Sequence, residues 1–199
     1  MGSEVLVGTA YMPSVFYFKE ILKHDVIIIE ACEHFVKQTY RNRCEILGAN
    51  GKQLLSIPLV KQAEKEIILN KRISYAENWQ QQHWRSITSA YQNSPYFEYF
   101  EDDFRVFYEN KFEFLLDYNN QILKTFFKIL RIKKELVFTE QYEQNPSELM
   151  DLRHMSNTKH QHVESLKPYY QVFAYKHGFT PNLSCLDALF NVGLECLMI

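Results

Sequence analysis

The chain has 199 residues, of which 46% are apolar and 15% aromatic, and these values predict one packed domain over residues 1–199. Its formal net charge of −2 at pH 7 excludes the broad basic surface that nucleic-acid binding needs, so we expect no nucleic-acid partner. No apolar run approaches the roughly 20 residues of a membrane-spanning helix, so we expect a protein without a membrane span.

The first elements in the chain predict a β-α-β unit. Residues 5–9 have the pattern of a short buried strand, and Ser14 is a candidate N-cap for an apolar-periodic helix that carries residues 15–22. Residues 26–29 are a β-branched run, Val-Ile-Ile-Ile, that is apolar on both faces. This pattern is typical of a parallel strand that is covered on both sides of the sheet.

A β-hairpin is predicted next. Asn50-Gly51 separates the strand patterns of residues 43–49 and 52–59, and this dipeptide suits the centre of a type I′ turn because both of its central residues need positive φ. A further strand is predicted over residues 65–69.

The second half of the chain has mainly helical periodicity. A helix from residue 77 places Trp79, His83, Ile87 and Ala90 on one face. The later predicted elements are a short aromatic helix after Ser94-Pro95, a long helix from Asp102 to Lys134, a strand at residues 136–138, a helix or strand at residues 169–175 that stops at Gly178, and a helix from Ser184. Together the elements predict a single-domain α/β fold: a mixed β-sheet opened by β-α-β and a β-hairpin, with a mainly helical second half.

Residues 30–47 concentrate polar side chains directly after the strand at residues 26–29. Ligands of open α/β sheets bind at such strand ends. Arg41 and Arg43 are two positions apart, so in a strand they would project to one face and could grip a phosphate or carboxylate; the alternative is a solvated hairpin edge. The candidate substrate-binding residues of this segment are Lys37, Tyr40, Arg41, Asn42 and Arg43.

Four separated blocks of the sequence point to a family. They are Tyr11-Met12-Pro13 with Tyr17-Phe18; His34-Phe35-x-Lys37-x-x-Tyr40-Arg41-Asn42-Arg43; His83-Trp84-x-x-Ile87 with Tyr91 and Pro95-Tyr96-Phe97; and residues 181–187 with Leu189-Phe190-Asn191. Together they resemble the WbqC-like protein family of bacteria over nearly the whole chain. The resemblance implies a setting in surface-polysaccharide biosynthesis. Within these blocks Tyr11, Tyr91, Tyr96 and Asn182 are further candidates for substrate binding.

Three residues are candidates for acid–base catalysis. Glu33 and His34 are neighbours, and a carboxylate beside an imidazole moves the imidazole pKa across the physiological range, although neighbours in a strand point to opposite sides. His83 shares the inward face of its helix and must find a partner there. The alternative role for His83 is a hydrogen-bonded core histidine.

Metal and thiol chemistry have weaker support. Cys32 with His34, and His160 with His162 near His154, lack the ligand spacing of a structural zinc site, so we predict no metal site. Catalysis by Cys32 or Cys44 would require a lowered thiol pKa. The four cysteines form no C-x-x-C pair, and the start of the chain lacks a signal-peptide pattern, so we expect a cytoplasmic protein.

The sequence therefore favours a transferase of surface-polysaccharide or nucleotide-sugar metabolism. Its substrate would be an anionic small molecule: a nucleotide sugar, a sugar phosphate or an acyl donor. One alternative is a non-catalytic binding or assembly protein of the same pathway. A second is a nucleotidyltransferase-like enzyme, although Phe16 and Tyr17 stand where the two-histidine phosphate signature would be. The sequence assigns no cofactor and no oligomeric state.

Overall fold

The computed structural model describes residues 2–61, 66–146, 149–157 and 166–198. In chain order the strands and helices are β1 (Glu4–Gly8), α1 (Val15–Ile21), β2 (Val26–Glu30), β3 (Arg43–Gly48), β4 (Gly51–Ser56), α2 (Trp79–Tyr91), α3 (Phe97–Glu109), α4 (Leu115–Ile129), β5 (Glu135–Phe138), β6 (Met150–Asp151), α5 (Ala174–His177) and α6 (Cys185–Val192). Short 3₁₀ helices lie at Ile68–Asn70, Arg153–Ser156 and Gly193–Met198. The predicted α/β fold class is confirmed.

A four-stranded parallel sheet forms the centre of the fold, in the order β5-β2-β1-β6. The strands β1 and β2 pair in register from Glu4 with Val26 to Gly8 with Glu30. Helices cover the sheet, and Val5, Val7, Ile27 and Ile29 are almost completely buried in the same apolar core as α2, α3, α4 and α6. The β-branched run therefore forms the predicted parallel strand, with Ile27 and Ile29 buried and Val26 and Ile28 only partly buried.

The hairpin of β3 and β4 forms a second sheet of its own. Its turn lies one residue earlier than predicted, because Gly48 pairs with Gly51 and the two loop residues are Ala49 and Asn50. Only Gly51 among these has a positive φ, of 100°. The glycine thus enters the ladder directly after the turn, where its lack of Cβ permits this backbone conformation.

The predicted long helix from residue 102 to residue 134 is wrong. The chain forms α3 and α4 instead, with a break after Asn110. Side chains from earlier in the chain satisfy the broken backbone: the amide of Gln80 donates to the carbonyls of Phe107 and Asn110 at 3.0 and 2.7 Å, and the Tyr75 hydroxyl accepts from the Phe112 N–H at 2.8 Å. These partners stabilise the break because backbone groups that the helix no longer pairs gain a hydrogen bond.

The strand predicted at residues 65–69 is also absent where the chain is described. Residue 65 lies outside the described residues, and from Ile68 the chain forms a 3₁₀ turn after a single bridge between His34 and Ile67. The other late elements agree better with prediction. The strand at residues 136–138 is part of β5, Gly178 ends α5 with a φ of 71°, and Ser184 caps α6.

Residues 182–185 tie the end of the chain to its beginning. The N–H of Val15 donates to the Leu183 carbonyl at 2.9 Å, and the N–H of Cys185 donates to the Pro13 carbonyl at 2.8 Å. The Asn182 side chain accepts from the N–H of Phe16 at 3.0 Å. The first turn of α1 therefore obtains its caps from both Ser14 and the C-terminal segment.

None of the helices in the described part of the chain is long and apolar enough to cross a membrane.

Candidate functional site

Three ion pairs lie at the carboxyl ends of the parallel strands. We call the group that forms them, Glu30, Glu33, Arg41, Asp151 and Arg153, the edge cluster. Arg41 forms a bidentate pair with Glu33, with Nε–Oε1 and Nη2–Oε2 distances of 2.7 Å. Arg153 contacts Glu30 at 3.0 Å and Asp151 at 2.6 Å. Arg41 and Glu30 are only 3% and 0% exposed, so their charges are shielded from solvent, whereas the Asp151 side chain is 33% exposed.

A large open cleft of about 860 Å³ lies beside the hairpin, and we call it the hairpin cleft. Its floor is the continuous segment of residues 56–61. Residues from three chain segments line it: Phe35, Lys37, Gln38, Asn42, Arg43, Ser56, Ile57, Pro58, Leu59, Val60, Lys61, Glu66 and Lys71. A cleft of this volume is in the range that accommodates a small-molecule ligand.

The charges that line the hairpin cleft are predominantly positive. Four cations, Lys37, Arg43, Lys61 and Lys71, stand against one carboxylate, Glu66. Lys71 is paired with Glu66 at 2.8 Å. In the described part of the chain no ion pair involves Lys37, Arg43 or Lys61, and the Nε of Arg43 is buried without a hydrogen-bond partner. The described residues of the cleft therefore present an excess of about three positive charges, counted as four minus one.

Asn42 has a fixed orientation at the edge of the cleft. Its Nδ2 donates to the Ile57 carbonyl at 2.9 Å, and this bond identifies Oδ1 as the acceptor that remains. The backbone of Asn42 also accepts from the Ile57 N–H at 2.9 Å. Asn42 thus extends the hairpin ladder by one step beyond Arg43 and Ser56, and it fixes the start of the cleft floor.

His83 lies behind the cleft wall, in the core. Its Nδ1 is 3.0 Å from the Tyr11 hydroxyl, which is 2.9 Å from the Tyr108 hydroxyl. Burial lowers the pKa of His83 to about 4, and a hydrogen bond with the backbone of Ser56 offsets part of this effect. The imidazole is therefore neutral at pH 7, and it is connected to the cleft only through the backbone of a residue that lines it.

The remaining candidates of the sequence are dispersed. His34 is exposed and pairs through its backbone with Ile67, next to Phe35 in the cleft wall. Burial raises the pKa of Tyr40 to about 12. Tyr96 is 37% exposed and stacks with Phe100, away from the cleft. Asn182 caps α1, as described above.

Tyr91 belongs to a buried network around Asp187. The Tyr91 hydroxyl donates to Oδ1 of Asp187 at 3.0 Å, while the Tyr169 hydroxyl and the Gln171 amide donate to Oδ2 at 2.7 and 2.8 Å. Burial raises the pKa of Asp187 to about 6 because these three hydrogen bonds only partly replace the lost water. The network joins α2 to α6.

The structure gives no support for metal or thiol chemistry. Within the described ranges no three His, Cys, Asp or Glu side chains gather as metal ligands, and His160 and His162 lie outside those ranges. Burial raises the pKa of the Cys44 thiol, which is the opposite of what a nucleophile needs.

The cleft contains three of the predicted site residues, Lys37, Asn42 and Arg43. The segments of residues 30–47 and 79–96 do contact each other, for example through the Leu47 N–H and the Tyr91 hydroxyl at 3.4 Å, but only the first contributes side chains to the cleft. Sequence reasoning missed Lys61, Glu66 and Lys71. Their only signal was the basic composition of the segment after the hairpin.

Comparisons with known proteins agree with this description at the level of the family. Residues 9–166 match the sequence profile of the WbqC-like protein family. The chain is 25% identical over 221 aligned positions to an uncharacterised protein, Rv1507c of Mycobacterium tuberculosis, and the alignment covers 98% of this chain and 96% of that protein. No solved structure matches the chain with significant similarity.

Proposed function

Because the chain belongs to the WbqC-like protein family, we propose that it binds an anionic small molecule of surface-polysaccharide or nucleotide-sugar metabolism in the hairpin cleft and acts on it as a transferase. The observation that carries the proposal is the uncompensated positive charge of the cleft. Lysine and arginine side chains that lack carboxylate partners are suited to phosphate or carboxylate groups of a ligand.

Arg43 is the principal anion-binding residue in this proposal. Its guanidinium lines the cleft, and its buried Nε has no partner among the described residues, so a ligand oxyanion would supply the missing acceptor. Lys37 is exposed on the same cleft and adds a second positive charge. Arg41 has a different role, because its Nε and Nη2 donate to Glu33 and its side chain does not line the cleft. Its Nη1 is also buried without a partner among the described residues, but it does not face the cleft lining.

A specific observation also favours a second candidate, the non-catalytic binding protein. Two of the three acid–base candidates are engaged away from the cleft: Glu33 in its ion pair with Arg41, and His83 with Tyr11. Only His34 among the three is exposed; it does not line the cleft itself, but its neighbour Phe35 does. In the transferase proposal His34 is therefore the acid–base residue to test first.

Calorimetric titration with nucleotide sugars, sugar phosphates and acyl donors tests the binding. We expect the wild-type protein to bind at least one of these anions, and Arg43→Gln to weaken that binding about tenfold because a charge-assisted contact is lost. Arg85→Gln is the matched control, since Arg85 is an exposed arginine of α2 outside the cleft. Absence of binding to every anion in the panel would refute the proposal.

Turnover separates the two candidates. The transferase predicts that a binding ligand is converted when a second substrate is supplied, and that His34→Gln lowers the rate by roughly 10²- to 10⁴-fold without changing affinity. The binding protein predicts tight binding with no conversion, and no effect of His34→Gln on affinity.

A further inference from the structure

The floor of the hairpin cleft is an extended segment, and a cationic residue stands at each end of it. Arg43 pairs with Ser56 at the start of the floor, and Lys61 follows Val60 at its end. The floor is held extended by backbone pairing on both sides: the N–H of Ile57 bonds to Asn42, and the N–H of Val60 bonds to Arg72. An extended chain of five residues covers about 17 Å at most.

The far end of the cleft has its own charge balance. Lys71 donates to Glu66 at 2.8 Å and to the Val60 carbonyl at 3.2 Å, so its charge is already compensated. Lys61 thus supplies the net positive charge of this end. At the other end Arg43 has no carboxylate partner among the described residues. Arg43 and Lys61 therefore stand at opposite ends of the floor segment, and Lys37 is the third cation of the lining that has no ion pair among the described residues.

The side chains of the floor between the two ends are apolar. Ile57, Pro58 and Leu59 form the floor there, and the Phe35 ring stands in the wall with the Lys71 ammonium 5.4 Å from its centroid. Such a surface suits the uncharged middle of a ligand, for example a sugar or a base.

From this arrangement we infer that the cleft takes an elongated ligand with two separated anionic groups: a pyrophosphate ester at Arg43 and a second anionic group, such as a carboxylate, at Lys61. The inference rests on the proposed function and narrows its substrate class. The pyrophosphate belongs at Arg43 because a guanidinium matches the paired oxygens of a phosphate, whereas an ammonium acts as a point charge. The total charge of −3 of such a ligand equals the excess of three positive charges in the cleft.

Two probes that differ at one position test the inference: uridine diphosphate glucose and uridine diphosphate glucuronic acid, which adds a carboxylate at the end of the sugar. Calorimetric titration of the full chain at low salt is the measurement. We expect the wild-type protein to bind the glucuronic acid probe about tenfold more tightly. The free energy of one added charge pair in a partly solvated cleft corresponds to a change in Kd of about this factor.

Single substitutions then test which anionic group of the probe binds at each end of the cleft. Arg43→Gln should weaken both probes by a similar factor, whereas Lys61→Gln should remove the preference for glucuronic acid and leave the glucose probe unchanged. Lys124→Gln is the matched control, because Lys124 is an exposed lysine of α4 outside the cleft. Unchanged thermal unfolding of the three variants shows that they are folded.

The outcomes distinguish this inference from the proposed function. Equal affinity of the wild-type protein for both probes, or a preference that survives in Lys61→Gln, overturns the two-ended ligand while leaving anion binding in place. Equal weakening of both probes by both substitutions indicates one anionic position and also overturns it. If neither probe binds, and inorganic pyrophosphate and the anion panel fail as well, the proposed function itself is wrong.

Discussion

The edge cluster and the hairpin cleft are both rich in charged residues, and they differ in how those charges are compensated. In the edge cluster each arginine faces at least one carboxylate at 3.0 Å or less. In the hairpin cleft four cations share one carboxylate. Arg41 and Arg43 are two positions apart in the sequence, yet they belong to different regions. A buried charge must be paired for the chain to fold, whereas a charge that faces an open cleft remains available to a ligand.

The largest expected effect is the loss of Arg41. Arg41→Ala leaves the Glu33 carboxylate buried and unpaired, so we expect the free energy of unfolding to fall by about 3–5 kcal/mol. Urea denaturation followed by circular dichroism measures it. The double variant Arg41→Met with Glu33→Leu should recover much of the loss, because no unpaired charge remains. A loss below about 1 kcal/mol in the single variant would show that the pair does not stabilise the fold.

A pH-dependent effect of His83 should come next in size. Its pKa is about 4 in the folded protein and near 6.5 in the unfolded chain, so the unfolded chain binds more protons between these values. The lowered pKa of His83 contributes to the free energy of unfolding above about pH 6.5. This contribution is lost as the pH falls toward about 4, and its size is up to roughly 3 kcal/mol. We expect His83→Gln to be less sensitive to acid over this range in urea denaturation. An imidazole NMR titration with a midpoint near 6.5 would contradict the assignment.

Asp187 should respond to pH in the opposite sense. Its pKa of about 6 in the folded protein lies above the ordinary value of 3.8, so the folded protein binds more protons between these values. The raised pKa of Asp187 contributes to the free energy of unfolding in full below about pH 4. This contribution is lost as the pH rises through about 6, and its size is roughly 3 kcal/mol at most. Relative to Asp187→Asn, the wild-type protein should therefore gain stability on acidification from pH 7 to pH 4. If the difference in the free energy of unfolding between the two proteins does not change with pH, the pKa of Asp187 is not raised.

Arg43 should show the smallest effect on stability. Because its side chain is half-exposed in the cleft and has no ion pair among the described residues, Arg43→Ala should change the free energy of unfolding by no more than about 0.5 kcal/mol. The same urea denaturation as for Arg41→Ala measures the difference. A large destabilisation would show that Arg43, like Arg41, stabilises the folded protein.

The parts of the fold that follow from local patterns could be predicted from the sequence. The β-branched run predicts β2, and Asn50-Gly51 predicts the hairpin although the turn lies one residue earlier, since both depend on the residues of the element itself. The break between α3 and α4 could not be predicted in this way. It depends on Tyr75 and Gln80, whose side chains reach the broken backbone from about 30 positions earlier in the chain.

The candidate site was predictable to a similar extent. The polar segment after β2 contributes Lys37, Asn42 and Arg43 to the cleft. Alternation of residues in a strand predicted that Arg41 shares the face of Arg43, but β3 begins only at Arg43, so the alternation does not extend to Arg41. Lys61 and Lys71 come from an irregular segment, in which residue spacing does not indicate the direction of a side chain.

The tie between the first turn of α1 and residues 182–185 has a consequence for biosynthesis. The bond from the Phe16 N–H to Asn182 spans 166 positions, so the N-terminal helix cannot complete its caps until almost the whole chain has left the ribosome. Contacts of such long range slow folding, and they leave early apolar segments exposed during synthesis. The apolar residues of α1 thus stay without these caps until residue 182 has been synthesised, and during that interval they are candidates for chaperone binding.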